Sequence, residues 1–108
     1  MADSKPVPTL VIYRPKPGKE AEMQALVEKH WPAVNGVGLV TKEPAKIWRA
    51  TDKRSGAQFF VEMFSWKDGE ASTVAHQTPE VMAIWEPMGA IMDGMQIAQI
   101  ELLNPAKA

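Results

Sequence analysis

The sequence predicts an α+β fold of order β-α-β-β-α-β, an antiparallel four-stranded sheet with helices on one face. Three observations lead there. Apolar residues recur at helical spacing through Met23, Leu26, Val27, Trp31 and Val34. Two β-rich runs flank the polar segment Asp52-Lys53-Arg54-Ser55-Gly56, which reads as a hairpin loop. At Trp66-Lys67-Asp68 the strand alternation gives way to helical spacing through Val81, Ile84, Trp85, Met88, Ile91 and Met92.

Each element has a local cause. Residues 1–8 contain two prolines and no periodicity, so a flexible arm is expected there. Residues 9–103 form the single domain, and 104–108 a C-terminal tail. Residues 9–14 are rich in β-formers and make the first strand. Pro15-Lys16-Pro17-Gly18 ends it, because proline fixes φ and donates nothing to a ladder. Residues 19–34 are the first helix, with Trp31 anchoring its end in the core. Pro32 and then Asn35-Gly36 signal the stop. Residues 37–51 read as a bent second strand, interrupted at Glu43-Pro44 and stronger over 46–51. Residues 57–66 pair back as the third strand. Asp68 caps a helix over 69–77. Thr78-Pro79 opens another, with proline at the first helical position, where no N–H is needed. Pro87 and Gly89 are expected to kink or shorten it. Asp93-Gly94 closes it, and 95–103 form the fourth strand.

Composition removes several function classes. The chain has 108 residues, the size of one domain, and 45% are hydrophobic, enough for a packed interior. Twelve Lys and Arg face 13 Asp and Glu without any basic run, so the footprint of a nucleic-acid binder is missing. There is no cysteine, which excludes disulfides, iron–sulfur clusters and thiolate zinc sites. The histidines are His30 and His76 alone, too few for an imidazole-rich metal centre. No stretch approaches the ~20 apolar residues of a membrane span, and the first residues lack an apolar secretory core. The expectation is a soluble, cytoplasmic protein with neither nucleic acid nor membrane as partner.

Alternation places Gln58, Phe60, Glu62, Phe64 and Trp66 on one face of the third strand, and Ala57, Phe59, Val61 and Met63 on the other. A sheet covered by helices on one side should show one polar face. Here the second face carries Phe60, Phe64 and Trp66, and leaving them in water forfeits ~1.5–3 kcal/mol for a phenylalanine-sized side chain and creates an apolar patch. A second sheet covers it at lower cost. The expectation is a homodimer with sheets face to face and Glu62 in or near the space between them.

Lys16-Pro17-Gly18-Lys19, Val61-Glu62-Met63-Phe64-Ser65-Trp66-Lys67-Asp68, Glu70-Ala71, and Ala75-His76 followed by Pro79 carry a resemblance. The chain resembles the antibiotic biosynthesis monooxygenase-like proteins of the dimeric α+β barrel superfamily, over residues 9–103 by element order. The resemblance implies a ferredoxin-like monomer and a dimeric barrel. It is shared by cofactor-independent oxygenases acting on polycyclic phenols or quinols and by haem-degrading enzymes. The haem-degrading branch uses a strand-one asparagine, a tryptophan in the second helical region and, about ten residues later, a histidine as iron ligand. The corresponding positions here are Val11, Ala75 and Trp85. Haem degradation by that constellation is disfavoured, and no cofactor and no metal are expected.

Several residues are candidates for chemistry. Glu62 lies between Phe60 and Phe64, an apolar setting that suits a general acid or base; it also suits an ion pair with Arg49 or Lys46. His76 lies one position off the apolar face of Ala71, Val74 and Ala75. An imidazole there deprotonates a phenol near neutral pH, or simply bonds a backbone carbonyl. Tyr13 offers a hydroxyl to the lumen. Trp48, Trp66 and Trp85 clamp a flat ligand or fill the core, and Phe60 and Phe64 accompany them as substrate-binding candidates. Met82, Met88, Met92 and Met95 suit an adaptable pocket or ordinary packing. Arg14 and Arg49 are candidates for a ligand acid or phenolate. Two functional expectations follow. One is a small-molecule enzyme, a cofactor-independent monooxygenase acting on an aromatic phenol or quinol, with His76 or Glu62 as base. The other is a non-catalytic ligand-binding or structural dimeric barrel.

Overall fold

Strand alternation sets the layers. In the computed structural model, which describes residues 5–103, the order is β1 (Val7–Pro15), α1 (Glu20–Gly36), β2 (Lys46–Thr51), β3 (Gln58–Trp66), α2 (Ala71–Ala75), α3 (Pro79–Ala90) and β4 (Met92–Gln99). Residues 1–4 of the expected arm and 104–108, the expected tail, lie outside the described residues. The strands form one antiparallel sheet in the order β2-β3-β1-β4. Val11 stands opposite Glu62 on one side and Ile97 on the other, and Tyr13 opposite Phe60 and Met95. Residues directly opposite share a face. Thr9, Val11, Tyr13, Phe60, Glu62, Phe64 and Trp66 are therefore one face, and all are buried.

That face lies under the helices. Met23, Val27, His30 and Val34 are the buried residues of α1, spaced four, three and four apart. This spacing keeps them on one stripe, and the stripe packs on β1 and β3. The expectation that Phe60, Glu62, Phe64 and Trp66 face a second sheet is thus corrected: α1 and α3 cover them within one chain. The other face holds Leu10, Ile12, Phe59, Val61 and Met63, all half-buried, and Trp48, 45% exposed. Both faces of this strand are apolar, so alternation alone does not say which one the helices take.

The element boundaries show where local signals were overridden. Val7 and Pro8, assigned to the arm, begin β1. The helix α1 runs through Pro32 to Gly36, and α3 runs through Pro87 to Ala90. A mid-helix proline leaves the carbonyl four residues back without its partner. Those carbonyls belong to Glu28 and Ala83, both exposed, where water is available to them. Only residues 46–51 of the bent second strand form a ladder; Val40 makes a lone bridge to Trp66. Asp52 accepts the backbone N–H groups of Arg54 and Ser55 and shapes the hairpin. Asp68 accepts the Glu70 N–H at 2.9 Å, but the helix after it is only Ala71–Ala75, shorter than expected. Thr78 is the N-cap of α3 with Pro79 beside it, although its hydroxyl donates to the Val74 carbonyl instead of capping. Asp93-Gly94, expected to close the helix, already lies in β4, with Gly94 opposite Arg14. No helix among the described residues is long and apolar enough to cross a membrane.

Phe60 is 1% exposed at the centre of this layer. Phe60→Ala should cost about 3–5 kcal/mol of unfolding free energy in denaturant titrations. A cost below about 1 kcal/mol would place the aromatic face outside the core.

Candidate functional site

The helices do not cover the whole inner face. The α1 stripe takes the β1 and β3 side, and the short α2 supplies only Ala71 and Ala75 to the core. The inner residues of β4 are left open: Met95 is 46% and Ile97 62% exposed. The result is a cavity of about 370 Å³ between the sheet, the end of α1, α2 and α3. Val11, Phe64, Trp66, Trp85, Met88 and Met92 give it apolar walls, and Thr9, Tyr13, His30, Ser72, His76 and Gln99 add polar atoms.

Behind one wall lies a buried network. Glu62 is 0% exposed, and Tyr13 and His30 are each 2% exposed. Tyr13 donates its hydroxyl to Glu62 Oε1 at 2.6 Å. His30 Nδ1 lies 2.9 Å from Oε1 and 3.0 Å from Oε2 of the same carboxylate. A carboxylate only accepts, so Nδ1 carries the proton. In the neutral imidazole Nε2 is then the lone-pair nitrogen. His30 Nε2 is buried and has no hydrogen-bond partner among the described residues, while the ring itself lines the cavity. The ring stacks 6.0 Å from Trp85 and meets the edge of Phe64 at 5.5 Å, which fixes its plane. Burial first, then the Glu62 charge, then the hydrogen bond to it hold the Tyr13 hydroxyl far above its ordinary range. Tyr13 therefore acts as a fixed donor, not as a base.

His76 is exposed at the cavity mouth. Its Nδ1–H donates to the Ser72 carbonyl at 2.7 Å, and its ring stands 4.7 Å from Trp85. This is the backbone-bonded arrangement weighed from sequence. Tyr13, Phe64, Trp66, Trp85 and His76 all line the cavity; Glu62 sits just behind it. Phe60 is on the same face but packed in the core, and does not reach the cavity. Trp48 is on the opposite face, opposite Val61, and takes no part. Neither Arg49 nor Lys46 pairs with Glu62. Arg49 bonds Gln24, and Arg14 lies over the Phe59 ring on the outer face. Sequence reasoning missed His30. Its signal was the 23, 27, 30, 34 spacing, which puts a histidine in a helix stripe facing a strand glutamate.

No family model matches the chain, and no curated protein sequence matches it. Solved structures do match. Rv0793 from Mycobacterium tuberculosis superposes with a TM-score of 0.70 at 12% identity, covering 95% of this chain and 100% of its own. A structure described as an antibiotic biosynthesis monooxygenase gives 0.67 at 12% identity, covering 91% and 99%. The chain has the antibiotic biosynthesis monooxygenase-like fold. SnoaB, a cofactor-independent oxygenase from Streptomyces nogalater, shares this fold with a TM-score of 0.66 at 12% identity, covering 94% and 99%. At such identities the antibiotic biosynthesis monooxygenase-like likeness is one of architecture alone. Among the described residues, no group of three or more His, Asp or Glu gathers into a metal site.

Tyr13 is the chain's only tyrosine, so tyrosinate absorbance reports on it alone. Its folded pKa lies above the unfolded value of 10.0. The neutral hydroxyl therefore contributes stability in full below about pH 10, and that contribution is lost as the pH rises beyond it. Tyrosinate should appear only together with unfolding, and Tyr13→Phe should flatten the alkaline fall in stability. Reversible titration of Tyr13 near pH 10 in the folded protein would contradict the buried network.

Proposed function

We propose that the chain is a small-molecule enzyme, a cofactor-independent monooxygenase acting on an aromatic phenol or quinol. One observation supports the reading most: the partnerless Nε2 of a buried histidine, whose other nitrogen is held by a buried carboxylate, in a ring that lines an apolar cavity. Glu62 fixes the tautomer and orientation of His30, and Nε2 takes the hydroxyl proton of the substrate. The resulting anion is electron-rich enough to pass an electron to dioxygen. One oxygen atom stays on the substrate, and the other leaves as water with two substrate hydrogens. Trp85, Trp66 and Phe64 hold the ring. The base is then His30 backed by Glu62, with His76 relegated to the mouth.

Oxygen uptake against a panel of naphthols and quinols tests this. His30→Ala should lower kcat by ~10²–10⁴, the usual contribution of a general base, and Glu62→Gln should lower it less. His76→Ala should change it by under about tenfold. Absence of uptake with every member of the panel, or full turnover in His30→Ala, would refute the reading and leave a non-catalytic binding protein.

The same reading includes a homodimer. The outer sheet face, with Trp48, Ile12 and Val61, is the apolar surface left for a second sheet to cover. Sedimentation at micromolar concentration should give a dimer, and Trp48→Glu should shift it to monomer without loss of the α/β circular-dichroism signal. A wild-type monomer would rule the dimer out.

A further inference from the structure

The charge of the cavity is as informative as its shape. Among the described residues, its lining contains no Lys, Arg, Asp or Glu. The arginines considered from sequence point elsewhere, Arg14 to Phe59 and Gln96 and Arg49 to Gln24. Glu80 and Glu86 of α3 and Asp93 of β4 are exposed and do not reach it. The Glu62 carboxylate is held directly behind Tyr13 and His30, two residues of the wall. An anionic ligand would give up hydration against the apolar walls, find no cation in the lining, and face the Glu62 carboxylate. Protonating His30 would only neutralise the pair with Glu62, adding no net positive charge to it. The neutral polar groups Ser72, Gln99 and His76 meet an uncharged ligand without such a penalty.

We propose that the site selects by charge: it admits uncharged hydroxyaromatics, excludes analogues bearing a carboxylate or sulfonate, and removes the hydroxyl proton only after the ring is enclosed. This rests on the small-molecule reading above and adds the class of molecule the cavity takes. The proton moves from the ligand oxygen to His30 Nε2, so the ligand's charge is created next to a newly formed imidazolium. The order matters, because an anion formed in solution would arrive without that partner.

The test compares two ligands of nearly equal size, 6-hydroxynaphthalene-2-sulfonamide and 6-hydroxynaphthalene-2-sulfonate. Calorimetry on the whole protein is run at about pH 8, where an ordinary histidine is neutral. The sulfonamide should bind about tenfold or more tightly than the sulfonate. Ile97, an exposed wall residue, supplies the converse: Ile97→Lys places a cation on the wall and should raise sulfonate affinity by about tenfold. Equal or tighter sulfonate binding by the unaltered protein would overturn the proposal, as would an unchanged preference in Ile97→Lys. Selective sulfonamide binding with no oxygen uptake would refute the oxygenase reading and leave charge selection standing. Failure of both ligands to bind would overturn both.

Discussion

A carboxylate buried to 0% exposure is the constraint around which this chain is arranged. Glu62 sits in the middle of β3, on a face it shares with Phe60, Phe64 and Trp66. An unpaired charge there is untenable, and removing one partner of a buried pair typically costs about 3–5 kcal/mol. Its partners come from two other elements. Tyr13 reaches it from β1, and His30 from α1. The pairing therefore fixes more than a side chain. It ties α1 to the sheet at one register, orients the imidazole and sets which nitrogen carries the proton.

The cavity is the counterpart of that tie. With α1 drawn over β1 and β3, and α2 only five residues long, the helices do not close down on the inner face of β4. Met92, Met95 and Ile97 then become wall rather than core. The polar tie and the apolar space meet at the His30 ring, whose Nδ1 belongs to the network and whose ring lines the cavity. Packing, not a sequence motif, brings the buried network and the cavity together.

Much of the fold was legible. The order of elements, the hairpin at 52–56 and the helix start at Thr78-Pro79 follow from turn chemistry and periodicity, which act locally. The facing of β3 was not legible from that strand alone, because Phe59, Val61 and Met63 make its second face apolar too. The site was half legible. Glu62 stood out as a polar residue in an aromatic run, and Tyr13, Phe64, Trp66 and Trp85 do border the cavity. His30 did not stand out, because the helix stripe was traced through Leu26 and Trp31, which are only half-buried. Trp48 was misleading for the opposite reason: an aromatic at a strand position says nothing about which face it takes. Pro32 and Pro87 suggested earlier helix ends because the exposure of Glu28 and Ala83, four residues back, is a tertiary fact.

The central claim is that Glu62 holds His30 as the Nδ1–H tautomer and leaves Nε2 without a partner, in a ring that lines the cavity. Nitrogen NMR of the two imidazole rings, recorded with and without a naphthol, measures this directly. The account predicts that His30 shows a protonated Nδ1 and an unprotonated Nε2, and that naphthol shifts the Nε2 resonance. An Nε2–H tautomer in His30, or an Nε2 signal indifferent to a bound naphthol, would contradict it.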